Sequence, residues 1–110
     1  MPLSTHVLDL ARGCPAAGVD ITLFKIDGDA RSKLASGQTD GDGRIVAPFG
    51  GNLAEGIYEI VFSAGTYYAQ QDMECFFDDV PVRFRIEDAA ARYHVPLLLS
   101  PWGYSTYRGS

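Results

Sequence analysis

Two histidines are the side chains in this sequence best suited to moving a proton near neutral pH. His6 lies near the start of the chain, within STHVLDL, and His94 lies near its end, within RYHVPLLLS. An imidazole can accept a proton from water or return one to a leaving group, which is what hydrolysis requires. Each could instead be a hydrogen-bonded strand residue with no chemical role. The pair therefore raises hydrolysis as a hypothesis.

Two arginines and the last two residues could bind the substrate of such a reaction. Arg44 follows a DGDG turn, and Arg108 lies in the closing YRGS. A guanidinium presents five donors in a planar fork, which suits a flat, oxygen-rich, anionic heterocycle, although either arginine could simply be solvated. Gly109 leaves room for a ligand beside the backbone, and Ser110 adds a hydroxyl and the α-carboxylate. If these groups converge, direct attack by water is the simplest chemistry.

Covalent and metal-dependent chemistry have weaker signals. The sequence has no G-x-S-x-G motif, and neither Cys14 nor Cys75 lies in a recognisable catalytic context. His6, His94 and the two cysteines lack the short paired spacings of structural zinc sites. The DGDGR turn also lacks the distal glutamate of a calcium loop. We expect no metal, no cofactor and two free thiols.

The bulk properties limit the classes of partner. The chain has 110 residues and a net charge of −5, which argues against nucleic acid or an anionic membrane surface as a partner. We find no signal-peptide pattern and no stretch of about 20 apolar residues. The expectation is one cytoplasmic domain over residues 1–110.

The residue pattern along the chain predicts short strands. In residues 4–10, His6 and Leu8 alternate with Thr5 and Val7, so the two sets should face opposite ways. Glycine-, proline- and aspartate-rich turns separate such segments every eight to twelve residues. The predicted strands are 4–10, 19–27, 56–64, 82–88, 92–100 and 104–110. This pattern is typical of an all-β, antiparallel β-sandwich.

Three segments received other predictions. Residues 28–39 read as a loop that leads into a short strand. Residues 65–75 lose the two-residue period and predict one short helix with Thr66 as its N-cap. Pro96 cannot donate a backbone hydrogen bond, so it predicts an edge strand or a position whose nitrogen faces no neighbour.

Three stretches of the sequence resemble the transthyretin family. They are LSTHVLDLARGCPAAGV (3–19), TDGDGRI (39–45) and RYHVPLLLSPWGYSTYRGS (92–110), which carry both histidines and Arg44 in order along nearly the whole chain. The closing YRGS is similar to the signature of the enzyme branch of that family, the 5-hydroxyisourate hydrolases. The family's hormone carriers lack the two histidines, this arginine and the Arg-Gly-Ser end.

The resemblance implies a fold, an assembly and a site. The fold would be a sandwich of two four-stranded sheets with one short helix, assembled as a homotetramer that is a dimer of dimers. The site would lie in the channel between dimers. The resemblance implies that His6, Arg44, His94 and Ser110 are catalytic, and that these residues with Tyr107, Arg108 and Gly109 bind substrate. Which histidine is the general base stays open.

The implied activity belongs to urate degradation. Water would attack a ring carbonyl of 5-hydroxyisourate and a C–N bond would break, giving 2-oxo-4-hydroxy-4-carboxy-5-ureidoimidazoline. One alternative is a transthyretin-like carrier that binds a small molecule without turnover. Another is an immunoglobulin-like interaction module, for which an export signal and a monomer would be expected.

Overall fold

Eight strands and one helix make up the regular structure in a computed structural model that describes residues 3–45, 49 and 51–110. The only helix within these ranges is α1, which has six residues, and no helix there is long and apolar enough to cross a membrane. The elements are β1 (Leu3–Asp9), β2 (Cys14–Pro15), β3 (Asp20–Asp27), β4 (Ala30–Gln38), β5 (Gly56–Phe62), α1 (Ala64–Ala69), β6 (Val80–Ile86), β7 (Tyr93–Ser100) and β8 (Gly103–Thr106).

The strands form two four-stranded sheets, as predicted. The first sheet has the order β2-β1-β7-β8 and the second the order β4-β3-β5-β6. Neighbouring strands are antiparallel except for β1 and β7, which are parallel and place Ser4 opposite His94 and His6 opposite Pro96. This one parallel pair brings the two ends of the chain side by side.

The core lies between the sheets and is built by alternation along each strand. In β1 the side chains of Thr5 and Val7 are buried, whereas His6 and Leu8 on the opposite face are half-buried. Burial removes apolar surface from water at about 25 cal/mol per Å², so a one-residue shift in register would be strongly unfavourable. The predicted faces of β1 are confirmed, and both histidines lie on the outer face of the first sheet.

A buried carboxylate joins the end of β1 to α1. Asp9 accepts hydrogen bonds from the hydroxyls of Tyr67 at 2.8 Å and Tyr68 at 2.9 Å, and from the backbone N–H of Ala11 at 3.0 Å. Burial, and then the hydrogen bond with Asp9, raise the pKa of Tyr68. A buried carboxylate is tolerated only when its oxygens are hydrogen-bonded, so this cluster determines where α1 lies.

The prediction that residues 28–39 are mainly a loop is wrong for most of these residues. Residues 30–38 form β4, which pairs with β3 from Asp27 opposite Ala30 to Asp20 opposite Gln38. This edge strand is exposed along most of its length, so its sequence shows no alternation of apolar residues. Its ladder of backbone hydrogen bonds holds it in place instead.

The helix is shorter than the sequence predicted. It begins after Ser63 and ends at Ala69, so Thr66 is its third residue and not its N-cap. The chain then turns through Asp72, which has a φ of 55°. Residues 65–75 lack a two-residue period and contain good helix formers, but residues 70–72 form a turn and residues 73–75 have no regular structure.

Of the two positions predicted for Pro96, the edge strand is wrong, because β7 lies between β1 and β8. The His94 carbonyl accepts a hydrogen bond from Gly109, so the backbone nitrogen two residues later faces the same side. There the β7–β8 ladder is interrupted, since β8 ends at Thr106, whose hydroxyl donates to the Pro96 carbonyl at 2.7 Å. The other prediction for Pro96, a nitrogen that faces no ladder partner, fits this break. The last strand is correspondingly shorter than residues 104–110.

Candidate active site

The two histidines are diagonal neighbours on the outer face of the first sheet. His6 lies opposite Pro96 in the parallel ladder, and His94 lies opposite Ser4, two residues along each strand. Residues two apart in a strand share a face, so both imidazoles project on the same side. Both are half-buried. The parallel pairing of β1 and β7 therefore creates the histidine pair.

Arg44 joins this face through the turn that precedes it. It forms an isolated antiparallel bridge with His6, and the next N–H along β1, that of Val7, donates to the Gly43 carbonyl at 2.8 Å. Residues opposite each other in such a bridge place their side chains on one face of the sheet. Arg44 and His6 are thus adjacent, with Arg44 exposed.

The shape of the DGDG turn explains its sequence. The Asp40 carboxylate accepts from the backbone N–H groups of Asp42 at 2.9 Å and Arg44 at 3.1 Å. Gly43 has a φ of 76°, and a Cβ there would collide with the Val7 carbonyl oxygen. Only glycine fits this position without strain, so Asp40 and Gly43 together place Arg44 beside β1.

The end of the chain contacts the second histidine directly. The Gly109 N–H donates to the His94 carbonyl at 2.7 Å, and the two residues form an isolated bridge. A Cβ on Gly109 would lie 2.5 Å from Cδ2 of His94 and 3.2 Å from its Cγ. The sequence suggested that glycine leaves room for a ligand; in the structure the His94 ring itself occupies that room.

The site also acts electrostatically on His94. Burial lowers the pKa of its imidazole, and the charges of Arg44 and His6 lower it further, opposed by a backbone hydrogen bond with Ser4. Arg44 and His6 both disfavour a further positive charge on the His94 ring. The lowered pKa favours the neutral imidazole, which is the form that can accept a proton.

The other three predicted tail residues do not join this group in the single chain. Tyr107 and Ser110 are exposed. The Arg108 guanidinium lies 4.5 Å from the ring centroid of Tyr93 and donates to the Arg92 carbonyl at 3.1 Å. Tyr93 faces the core, so Arg108 lies on the opposite side of the sheet from the histidines. Within the single chain Arg108 and Arg44 lie on opposite sides of the sheet, because the neighbours of Gly109 point away from the face that Gly109 shares with His94. The predicted convergence of the two guanidiniums concerns a cavity shared between subunits and stays a prediction.

One polar contact in the site was missed by sequence reasoning. The Ser4 hydroxyl oxygen lies 2.8 Å from Nδ1 of His94. Alternation puts Ser4 on the same face as His6, so its orientation could have been predicted. Its contact with His94 depends on the register between β1 and β7, which no local pattern specifies.

The candidate metal ligands are not gathered in one place. Within residues 3–45, 49 and 51–110, no three His, Cys, Asp or Glu side chains are grouped so that they could hold an ion. Cys14 and Cys75 are both free thiols. The chemistry that the described residues offer is proton transfer by imidazole beside a fixed positive charge.

Known proteins are similar to this chain in sequence and in fold. The sequence model of the HIUase/Transthyretin family matches residues 3–109. A protein of Rhizobium meliloti named 5-hydroxyisourate hydrolase 2 is 50% identical, over 98% of this chain and 95% of that protein. The structure of Klebsiella pneumoniae 5-hydroxyisourate hydrolase is 36% identical, covers 99% of this chain and 93% of that one, and superposes with a TM-score of 0.86.

Two further structures show how widely the fold is shared. Sea bream transthyretin in complex with thyroxine is 28% identical, with a TM-score of 0.92 over 99% of this chain and 95% of that one. A structure of (S)-allantoin synthase is 37% identical, with a TM-score of 0.90 over 99% of this chain, which spans 43% of that longer chain. The match over residues 3–109 and the 50% identity together establish that this chain belongs to the HIUase/Transthyretin family.

Proposed function

We propose that this protein is a hydrolase that opens the ring of 5-hydroxyisourate in urate degradation. The observation that carries the proposal is the placement of His6, Arg44 and His94 on one face of the first sheet, in a chain 50% identical to a named 5-hydroxyisourate hydrolase. The fold alone does not separate enzyme from carrier, since sea bream transthyretin, solved with thyroxine, superposes with a TM-score of 0.92 and the Klebsiella pneumoniae hydrolase with 0.86. The polar side chains of this face favour the enzyme.

The proposed reaction is attack of water on a ring carbonyl. Neutral His94 accepts a proton from water as the water oxygen bonds to the carbonyl carbon. Arg44 donates to the oxygen that gains negative charge in the tetrahedral intermediate. The intermediate collapses by breaking the C–N bond, and the ring nitrogen receives the proton from the imidazolium. His6, next to both residues, orients the water or the substrate.

We assign further binding roles to the end of the chain. Gly109 contributes by its contact with His94. Tyr107, Arg108 and Ser110 belong to the proposed substrate site, and Ser110 has a catalytic role through its hydroxyl or α-carboxylate. For Arg108 this requires its guanidinium to leave Tyr93, where it lies in the single chain.

The proposal includes a homotetramer, a dimer of dimers, with the site in the channel between dimers. Trp102 and Tyr107 are 68% and 57% exposed in the single chain, which supports coverage by other copies. Coverage would also exclude bulk water from the reacting ring, which strengthens the effect of Arg44. The single domain over residues 1–110 and the cytoplasmic location are parts of the same proposal.

The direct test is a spectroscopic assay with freshly generated 5-hydroxyisourate. We expect its absorbance to decay faster with the protein than in buffer, with formation of the ureidoimidazoline product. Bound 5-hydroxyisourate that decays no faster than free 5-hydroxyisourate would support the carrier alternative. The His94→Asn variant is the matched control, because general-base loss typically slows a reaction by ~10²–10⁴-fold.

A further inference from the structure

We propose that Ser4 is a positioning residue that holds the His94 imidazole in one orientation and one tautomer, with the proton on Nδ1 and the lone pair on Nε2. The kinetic part of this proposal rests on the proposed function above. The structural part concerns only two side chains of the substrate-free protein.

The geometry encloses the His94 ring between two fixed contacts. Ser4 lies directly opposite His94 in the β1–β7 ladder, and its hydroxyl oxygen is 2.8 Å from Nδ1. On the other edge of the ring, Gly109 packs so closely that a Cβ would lie 2.5 Å from Cδ2. Nδ1 is therefore engaged within the protein, which makes Nε2 the nitrogen available to substrate or water.

The 2.8 Å contact between the Ser4 hydroxyl oxygen and Nδ1 fits either direction, because a hydroxyl can donate or accept. The proposal takes the ring as the donor, since Nε2 is the nitrogen left to substrate or water. In neutral histidine one nitrogen carries the proton and the other accepts. Donation from Nδ1 therefore places the lone pair on Nε2, as general-base catalysis requires.

The kinetic test first removes the Ser4 hydroxyl and then restores a hydroxyl at the same position. Ser4→Ala should lower kcat about tenfold, the order expected for one hydrogen bond, while KM changes less than about twofold. Ser4→Thr keeps a hydroxyl on the same face and should recover most of kcat. Ser32→Ala is the matched control, since Ser32 lies on β4 in the other sheet. An unchanged kcat in Ser4→Ala would overturn the proposal. An equal loss of kcat in Ser4→Thr and Ser4→Ala would overturn it as well.

A second measurement needs no substrate. The ¹⁵N chemical shifts of the His94 ring distinguish the two tautomers, and we expect the Nδ1–H form to predominate in the full-length protein above the His94 pKa. In Ser4→Ala the Nε2–H fraction should rise, and in Ser32→Ala it should stay unchanged. A predominant Nε2–H form in the wild type, or identical shifts in wild type and Ser4→Ala, would refute the assignment. Absent turnover combined with the expected shifts would instead reject only the proposed function.

Discussion

At the scale of single residues, His94 is the side chain on which the site depends. Ser4 contacts its Nδ1, Gly109 packs against its Cδ2, and Arg44 and His6 lower its pKa. Four neighbours from three separate parts of the chain thus act on it, two by contact and two by charge. Substitutions at these neighbours should act through His94, and they can be distinguished by which property of the imidazole they change.

Arg44→Gln should raise the pKa of His94, because it removes a positive charge that disfavours the imidazolium. Since a base must be neutral, kcat/KM should fall with decreasing pH through the His94 pKa, and in the variant this fall should begin at higher pH. NMR titration of the His94 ring protons measures the shift directly. Lys33→Gln removes the same charge on β4 and should leave the titration unchanged. A lower or unchanged His94 pKa in Arg44→Gln would contradict the prediction.

The lowered pKa of His94 also makes the stability of the folded chain depend on pH. The pKa of His94 is lowered in the folded chain, so the unfolded chain binds its proton more readily. His94 therefore disfavours folding as the pH falls below its ordinary value of about 6.5 toward the lowered one. Above that pH range, His94 contributes no pH dependence to the free energy of unfolding. Part of this acid destabilisation should disappear in Arg44→Gln.

Gly109→Ala should displace the His94 ring without unfolding the chain. The added methyl group would meet Cδ2 at 2.5 Å, and the ring can rotate away more easily than the paired backbone can move. We expect kcat to fall by about 10-fold or more while the thermal midpoint changes little, since Gly109 is near the end of the chain. Gly103→Ala is the control, because its Cβ would meet only the Ser100 hydroxyl oxygen at 3.9 Å. Full activity in Gly109→Ala would show that this contact is not required.

At the scale of elements, the site depends on a parallel pair of strands and on what anchors them. β1 supplies Ser4 and His6, and β7 supplies His94, so the relative register of the two strands sets where Ser4 and His6 lie beside His94. Asp9 holds the end of β1 against α1 through two tyrosine hydroxyls. A polar cluster buried at one end of a strand thus stabilises the strand that carries the chemistry.

Tyr68→Phe tests the contribution of this anchor. The variant keeps the buried ring and removes the hydroxyl that donates to Asp9, which leaves a buried carboxylate with one donor fewer. The expected loss in free energy of unfolding is about 1–3 kcal/mol, measured by urea denaturation at matched protein concentration. Tyr104→Phe is the control, because this residue is 40% exposed and its ring packs on Phe77. Equal stability of the two variants would show that the Asp9 cluster contributes little.

The strands that local sequence predicts are those with one buried and one open face. β1 and β6 alternate because only one side meets the core, and the faces of β1 follow the predicted pattern. In β5 the alternation is broken at Glu59, which is buried and paired with Arg31 and Arg83. The sequence did not predict β4 as a strand, because most of its residues are exposed and its apolar residues therefore show no two-residue period. For Pro96 an edge strand and a nitrogen without a ladder partner both stayed open, because a sequence does not reveal that β7 lies between β1 and β8.

At the scale of the whole molecule, the candidate site combines segments that are distant in sequence. His6, Arg44 and His94 were predicted from residue type and from a resemblance, and the structure brings them to one face. The contact of Ser4 and the direction of Arg108 depend on register and alternation across three strands, which no single segment encodes. The prediction was therefore better for residue identity than for side-chain direction.

Removal of residues 107–110 tests both the tail and the proposed assembly. The tail supplies Gly109 to His94, and the proposed substrate site includes Tyr107, Arg108 and Ser110, so turnover should fall by at least ~10²-fold. Light scattering on full-length protein should give four copies, and the same measurement on the truncated chain shows whether the lost activity follows lost assembly. A tetrameric but inactive truncation assigns the tail to the chemistry, whereas a dissociated one assigns it to the channel between dimers. A truncated chain with wild-type turnover would remove the tail from the mechanism, and a monomeric, fully active full-length protein would remove the channel.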